Sequence, residues 1–313
     1  MHLVVPYAAP AAEAGVLPLQ GLRLPQLSRL LQRLDAGSGI AAETAMLNLP
    51  HEHVLAAGRG WSAEDGRLPL AAAGAAADGL PAPAPGEGWG LLTPTHWQAG
   101  ADQVLLLDPA HLHLDEDESR ALLDALRGLF ESEGWTLYWG APLRWYARHP
   151  SLAELATASL DRVVGRSIEH WLPDRQAGRT LRRLQSEAQM LLYTHPINEA
   201  RESRGELPVN SFWMSGTGRA VVPLLSADEP IVDLRLGAAW RAGDWPAWAV
   251  AWQALDAERL ADLAARAERG DAVALTLCGD RAAQRFDAVA HGPWQRLLRR
   301  WRGAEPRAVL EAL

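Results

Sequence analysis

The chain contains no lysine; all 30 of its basic residues are arginine. That removes every mechanism built on a lysine amine, from Schiff bases and pyridoxal anchoring to the phosphate-gripping lysine of Walker-type nucleotidases. Cysteine is nearly as scarce. With Cys278 alone, one chain can form no internal disulfide, thiolate zinc cluster or iron–sulfur centre, and a reducing cytoplasm is the expected location. No uninterrupted apolar run approaches the roughly 18 to 20 residues a membrane span requires, so no membrane partner is expected. Met1 to Val16 lacks a basic leader region and is broken by Pro6 and Pro10, which argues against a cleaved signal peptide. Charge is short on the positive side overall. A net charge of -8 argues against a nucleic-acid partner, because phosphate neutralisation needs clustered positive charge, which this chain could offer only as a local arginine patch.

What is present is ordinary globular material, 48% hydrophobic and 22% charged over 313 residues, enough for one large or two modest domains. Leu3-Val4-Val5 is a buried-strand candidate, followed by a helical pattern of Leu24, Leu27, Leu30, Leu31 and Leu34 opening near Pro25. Residues 71–88 are small, Pro-rich and Gly-rich, the signature of a module boundary. From Val104 the pattern predicts strands VLLLD and AHLHL, a helix from Glu116 to Ser132, then strands WTLYWG and LRWYARH, together a small α+β insertion. Helices are expected over Ser151 to Ala158, capped by Ser151 and Glu154, and over Ala177 to Tyr193. The last third predicts a strand at 247–252 with Trp248, Val250 and Trp252 on its buried face. A helix over 256–269, a strand from Ala272 to Cys278 and a helix around Trp294 to Trp301 follow.

Three groups of residues have chemical potential. His51-Glu52-His53, read as a strand, places both imidazoles on one face, as a metal pair requires. His111, His113 and Asp115 offer a similar face, but Asp115 and Glu118 form a capping box into the following amphipathic helix, and structure outweighs metal there. The third is the stretch from His195 to Gly218. Arg201 can grip a phosphate or carboxylate with its planar fork, Asn198 and Asn210 both donate and accept, and Gly216 and Gly218 let backbone N–H groups approach an anion, with Arg219 adjacent. The plain alternative is a structural joint in which Asn and Gly fix irregular backbone and Arg201 pairs with Glu199, Glu202 or a core carboxylate.

The pattern H-P-x-N-x-x-R-x-x-x-G-x-x-P-x-N-x-x-W-x-x-G-x-G over 195–218 resembles the signature of archaeal-type cofactor-independent phosphoglycerate mutases of the alkaline-phosphatase superfamily. Pro25-Gln-Leu27-Ser-Arg-Leu30 and Gly66-Arg-Leu-Pro-Leu70, with Gly74, Gly79 and Pro85-Gly86, are similar to further stretches of that family. The feature set also resembles the RpfE-type regulatory proteins, a shortened offshoot. The resemblance implies an α/β fold with an alkaline-phosphatase-like three-layer core. Residues 1–86 and 195–313 would form that core and 87–194 the inserted α+β domain, connecting helices included. It also implies two divalent metals and a serine nucleophile, and here the sequence departs. Pro6-Tyr7-Ala8-Ala9 stands where the family has its first Asp, and Asn48 to His53 contains no Ser or Thr. Asp280 and Asp256 remain, each having lost its companion His.

The resulting expectation is a degenerate, phosphoglycerate-mutase-like pseudoenzyme without mutase activity, regulatory in role. Its partner would be an anionic small molecule held by Arg201, Asn198, Asn210, Gly216, Gly218 and Arg219, or another protein. No cofactor or metal is expected. Two alternatives stand beside it. One is a metal-dependent phosphotransferase or phosphohydrolase rebuilt on His51, His53, Asp256 and Asp280, with Glu52 between the imidazoles. The other is a structural module docking a partner on the Trp-rich surface around Trp240, Trp245, Trp248 and Trp252.

Overall fold

The computed structural model describes residues 1–11, 14–41, 46–219, 229–289 and 305–313. The helix expected around Trp294 to Trp301 lies outside the described residues. In chain order the strands are β1 (His2–Val5), β2 (Leu34–Ala41), β3 (Gly88–Thr95), β4 (Trp97–Ala99), β5 (Val104–Leu106) and β6 (Thr136–Ala141). They continue with β7 (Arg144–His149), β8 (Ser211–Arg219), β9 (Ile231–Val232), β10 (Ala274–Cys278) and β11 (Ala282–Ala288). Two compact units contain them: Met1–Ala45 with Leu49–Arg59 and Leu225–Leu313, and Met46–Asn48 with Gly60–Leu224.

The first unit is a five-stranded sheet in the order β2-β11-β10-β1-β9, in which β1 is parallel to both β10 and β9 and the β11 and β2 pairings are antiparallel. Alternation along β1 decides the layers. Leu3 and Val5 pack on one face with Leu27, Leu30, Trp248, Trp252, Leu263 and Phe286. Val4 faces the other way, onto Cys278, Ala283 and Val54 of the Pro50–Gly58 helix. Helices thus cover both faces, the expected α/β arrangement around a largely buried sheet.

The stretch 247–252 corrects the sequence reading: it is not a strand but the middle of a helix, Trp245–Leu255. Asp244 caps it by accepting the Ala247 N–H at 2.9 Å, and Pro246 sits in its first turn. Trp248 and Trp252 are four residues apart on one buried stripe, whereas Val250 is 65% exposed. The Trp-rich surface expected for a docking module is therefore absent at these positions, since Trp240, Trp248 and Trp252 are all core.

All three core indoles turn their N–H groups on one short segment. Trp248 donates to the Tyr7 carbonyl at 2.9 Å, Trp252 to that of Ala8 at 3.1 Å and Trp240 to that of Ala9 at 2.9 Å. Tyr7 itself adopts φ 59°, a left-handed conformation that is an outlier for a bulky residue. Its ring lies 5.2 Å from the His51 ring and 5.2 Å from Trp240.

The second unit carries the antiparallel sheet β6-β7-β3-β8. One face holds Leu92, Trp145, Phe212 and Met214 against the amphipathic helices Glu116–Glu131 and Arg179–Tyr193. Trp89 and Tyr146 pack with Ala71 and Ala75 of the Leu70–Ala77 helix. The boundaries expected at 86 and 195 fall inside this unit. The reason is pairing: β3, which opens at Gly88, is hydrogen-bonded to β8, which closes at Arg219, and neither strand can be assigned to a different module. Two smaller readings also change. AHLHL is no strand, because Pro109–Leu112 forms a 3-10 turn ended by His113 at φ 47°. Ser151 opens no long helix; Pro150–Ala153 is a single 3-10 turn capped by His149, whose Nδ1 accepts the Ser151 N–H at 3.1 Å.

Replacing Trp248 by Phe keeps most of the buried ring but removes the indole N–H that the Tyr7 carbonyl accepts. Chemical denaturation of Trp248→Phe should show a loss of about 1 to 3 kcal/mol, the usual cost of removing one partner of a buried hydrogen bond. An unchanged midpoint would mean that this indole N–H does not hold the Tyr7 turn.

Candidate functional site

The stretch singled out in the sequence, His195 to Gly218, is indeed polar and irregular, and the structure places each of its members. Asn198 is buried in the helix Pro196–Ser203; its Nδ2 donates to the carbonyls of Leu192 at 2.9 Å and Val209 at 2.8 Å, and its Oδ1 accepts the Val209 N–H at 2.9 Å. Asn210 pairs both ways with the Trp97 backbone, accepting at 2.7 Å and donating at 2.9 Å. Their amides act as surrogate peptide groups where the backbone has none to offer. Neither is available to a ligand through these atoms.

Arg201 is fully buried and consumed. Its Nε donates to the Leu207 carbonyl at 2.9 Å, and its terminal nitrogens bond Glu118 and the Leu112 carbonyl. Arg201 thus acts as a structural rivet, and of the pairings expected for it the one with a carboxylate of the packed interior is present, with Glu118, while Glu206 lies 3.6 Å away. Asp115 does cap the Glu116–Glu131 helix, accepting the Glu118 N–H at 2.8 Å, while the Glu118 carboxylate goes to Arg201 and Arg204.

The two glycines also serve packing. β8 is buried from Ser211 to Gly218. A Cβ on Gly216 would meet the Ala71 nitrogen at 2.9 Å, and one on Gly218 would run into the Arg67 carbonyl. Both positions have positive φ, 64° and 150°, which only glycine adopts readily. They let β8 lie directly against backbone 67–71 and do not expose an anion-binding cradle.

That close approach builds the cleft of this unit. The Thr217 hydroxyl donates to the Leu155 carbonyl at 2.6 Å and shares a 2.8 Å hydrogen bond with Thr157. The Thr157 N–H reaches the Gly66 carbonyl at 2.9 Å, and the Gly66 N–H reaches Asn48 Oδ1 at 2.6 Å. Segments 61–69, 153–157 and 217–219 are thereby held side by side. Between them lies a cavity of about 270 Å³ whose lining includes Trp61, Glu64, Arg67, Glu154 and Arg219.

The charges in this cleft form a chain. Arg219 bonds Glu154 at 2.6 Å, Glu154 lies 3.6 Å from Arg67, and Arg67 bonds Glu64 at 3.0 Å. The Arg219 guanidinium, with Arg67 behind it, holds the Glu154 carboxyl below the usual carboxylate range. Of the residues singled out for an anion, only Arg219 lines this cleft. Arg67 was legible only as part of the Gly66–Leu70 stretch, and Glu154 was hidden by its false reading as a capping residue.

The four residues of the rebuilt metal centre are not brought together as one. His51 and His53 sit on the Pro50–Gly58 helix, where two residues turn the side chain by about 200° and point the rings apart. Glu52 closes the cap of that helix, accepting the Leu49 N–H at 2.8 Å. Asp256, buried, accepts the N–H groups of Leu27 at 2.8 Å and Gln26 at 3.0 Å at the head of the Pro25–Leu31 helix, and burial pushes its carboxyl up. Asp280 is buried just beyond β10. Among the described residues no group of three or more His, Cys, Asp or Glu side chains could hold a metal ion.

No protein-family model matches the chain. It is 29% identical over 110 residues to the 2,3-bisphosphoglycerate-independent phosphoglycerate mutase of Methanosarcina barkeri, covering 34% of this chain and 28% of that one. A probable enzyme of the same name from Geobacter sulfurreducens is 29% identical over 112 residues, 34% of this chain and 27% of that protein. The homology is weak and partial. It spans little more than a quarter of the length of these curated relatives. Among solved structures, the cofactor-independent phosphoglycerate mutase of Thermoplasma acidophilum covers 91% of this chain and 89% of its own, with a TM-score of 0.39 and 15% identity. The PH0037 protein of Pyrococcus horikoshii covers 95% of this chain and 92% of its own, with a TM-score of 0.45 and 13% identity.

Asn198→Ala tests the joint. It strips three hydrogen bonds from buried backbone at Leu192 and Val209, so chemical denaturation should show a loss of about 2 to 4 kcal/mol. A variant as stable as the parent would mean that these three bonds do not hold the joint.

Proposed function

We propose that this chain is a phosphoglycerate-mutase-like protein that has lost the mutase centre and serves in the cytoplasm as a regulatory protein, of the RpfE type, responding to an anionic ligand. The partial homology to the mutases supports the lineage. The observation that carries the loss of the centre is the packing at the end of β1. There the three successive carbonyls of Tyr7, Ala8 and Ala9 each accept an indole N–H, and the Tyr7 ring fills the space between His51 and Trp240. A metal-binding carboxylate at this turn would need room and solvation that the indoles and the phenol ring deny it.

The residues present do not fit the pair of divalent metals that the resemblance implies. Tyr7 and its neighbours supply no carboxylate. The two imidazoles diverge, and Asp256 already accepts two backbone N–H groups. A two-metal phosphoryl transfer needs ions held about 3.5 to 4 Å apart by several shared ligands. No step is therefore assigned to such ions, and the rebuilt phosphohydrolase reading has no support from the geometry of its own residues.

Interconversion of 2- and 3-phosphoglycerate by the purified chain, supplied with Mn²⁺, Zn²⁺ or Mg²⁺, tests the reading. The expected result is no turnover above the protein-free rate. Turnover abolished by a chelator would contradict the proposal.

A further inference from the structure

In the cleft beside Trp61 the charged side chains of Arg67, Glu154 and Arg219 line a cavity. We infer that it is an oxyanion site, in which Arg67 and Arg219 take a phosphate or carboxylate group of a small metabolite and Glu154 occupies that position when no ligand is bound. The inference rests on the anion-responsive half of the proposed function and names its site.

Four observations converge on it. First, both guanidinium groups line one cavity of about 270 Å³, a volume suited to a few-carbon body and below the span of about 300 to 1,000 Å³ typical for larger ligands. Second, the Arg67 guanidinium is held at the cavity by carboxylates on both sides, bonding Glu64 at 3.0 Å and lying 3.6 Å from Glu154, the same carboxylate that Arg219 bonds at 2.6 Å. Third, the carboxylate between the two arginines is displaceable: Glu154 is 61% exposed and Arg219 is 67% exposed. Exposed ion pairs of this kind add little stability, so the fold does not need this one in order to stand. Fourth, Trp61 is 8% exposed and lines the same cavity, offering an apolar surface to the body of the ligand.

Charge and shape select the ligand class. A guanidinium matches phosphate or carboxylate oxygens with two parallel N–H donors, and two of them at one cavity repel a metal cation. Glu64 and Glu154 balance the arginines in the absence of ligand. Binding then consists of exchange: the ligand oxyanion replaces the Glu154 carboxylate, which swings into solvent. The close approach at Gly218 matters here, because it is what brings Arg219 beside the Arg67 segment.

The test uses the full chain and four proteins: the parent, Glu154→Gln, Arg67→Met and Arg219→Met. Thermal shift and tryptophan fluorescence are followed against inorganic phosphate, 3-phosphoglycerate and glycolate up to about 10 mM, where mass action makes weak sites visible. Phosphate against glycolate separates the two oxyanion types. Glu154→Gln removes the competing carboxylate and should bind about threefold or more tightly, whereas each arginine variant should weaken binding by about tenfold. A purely structural Glu154 would instead lower the melting temperature and leave binding unchanged, which would overturn the site. Absence of any saturable response in both the parent and Glu154→Gln would overturn it as well. Binding that persists unchanged in Arg67→Met and Arg219→Met would remove this cleft and leave the anion-responsive reading standing. Mutase turnover would have the reverse effect, defeating that reading without touching the cleft.

Discussion

Three indole N–H groups grip three consecutive carbonyls where the chain leaves β1, and the first unit is organised around that contact. A strand flanked by parallel neighbours on both sides must end in a turn, and a buried turn must find donors for its carbonyls. Here the donors come from Trp240 and from the helix Trp245–Leu255, so satisfying the turn and docking that helix are one event. Tyr7 is left in a left-handed conformation that costs about 1 to 2 kcal/mol, which the surrounding bonds and ring contacts offset. The same event fills the C-terminal end of β1 with aromatic rings. That end is where open α/β sheets ordinarily receive ligands.

The second unit follows a similar economy with different residues. Asn198, Asn210 and Arg201 all have the chemistry of a binding site; the two amides are spent on backbone, and Arg201 on the Leu207 and Leu112 carbonyls and Glu118. Gly216 and Gly218 look like an anion cradle and instead allow one strand to lie on another segment. What remains outside this accounting is the Arg67, Glu154, Arg219 and Glu64 chain at the cavity. Polar residues in the interior hold the fold, and those at the cleft pair with one another along the cavity.

How far the sequence reveals this is visible element by element. β1, β10 and the Glu116–Glu131 helix are legible because burial period and capping agree locally. The Trp245–Leu255 helix is misread as a strand because Trp248, Val250 and Trp252 alternate, although the Trp245, Trp248 and Trp252 spacing and the Asp244 cap both belong to a helix. The bounds of the compact units are not legible near Gly88, because the β3 to β8 pairing is non-local and leaves no mark there. The cleft is missed for a like reason. Trp61, Arg67, Glu154 and Arg219 are scattered along the chain, and only the glycine approach and the Thr157–Thr217 bond make them neighbours. Arg201 shows the converse error: a residue legible as a site is buried beneath Glu118, 83 positions away.

At the Tyr7–Ala9 turn indoles and the Tyr7 ring take the space that a metal-binding carboxylate would need, and calorimetric titration of the purified chain with Mn²⁺ and Zn²⁺ tests the proposed absence of a metal centre there. The account predicts no saturable binding with affinity on the order of micromolar that depends on His51 or Asp280. Two equivalents bound in that range, and lost in His51→Ala and Asp280→Ala variants that still fold, would contradict it.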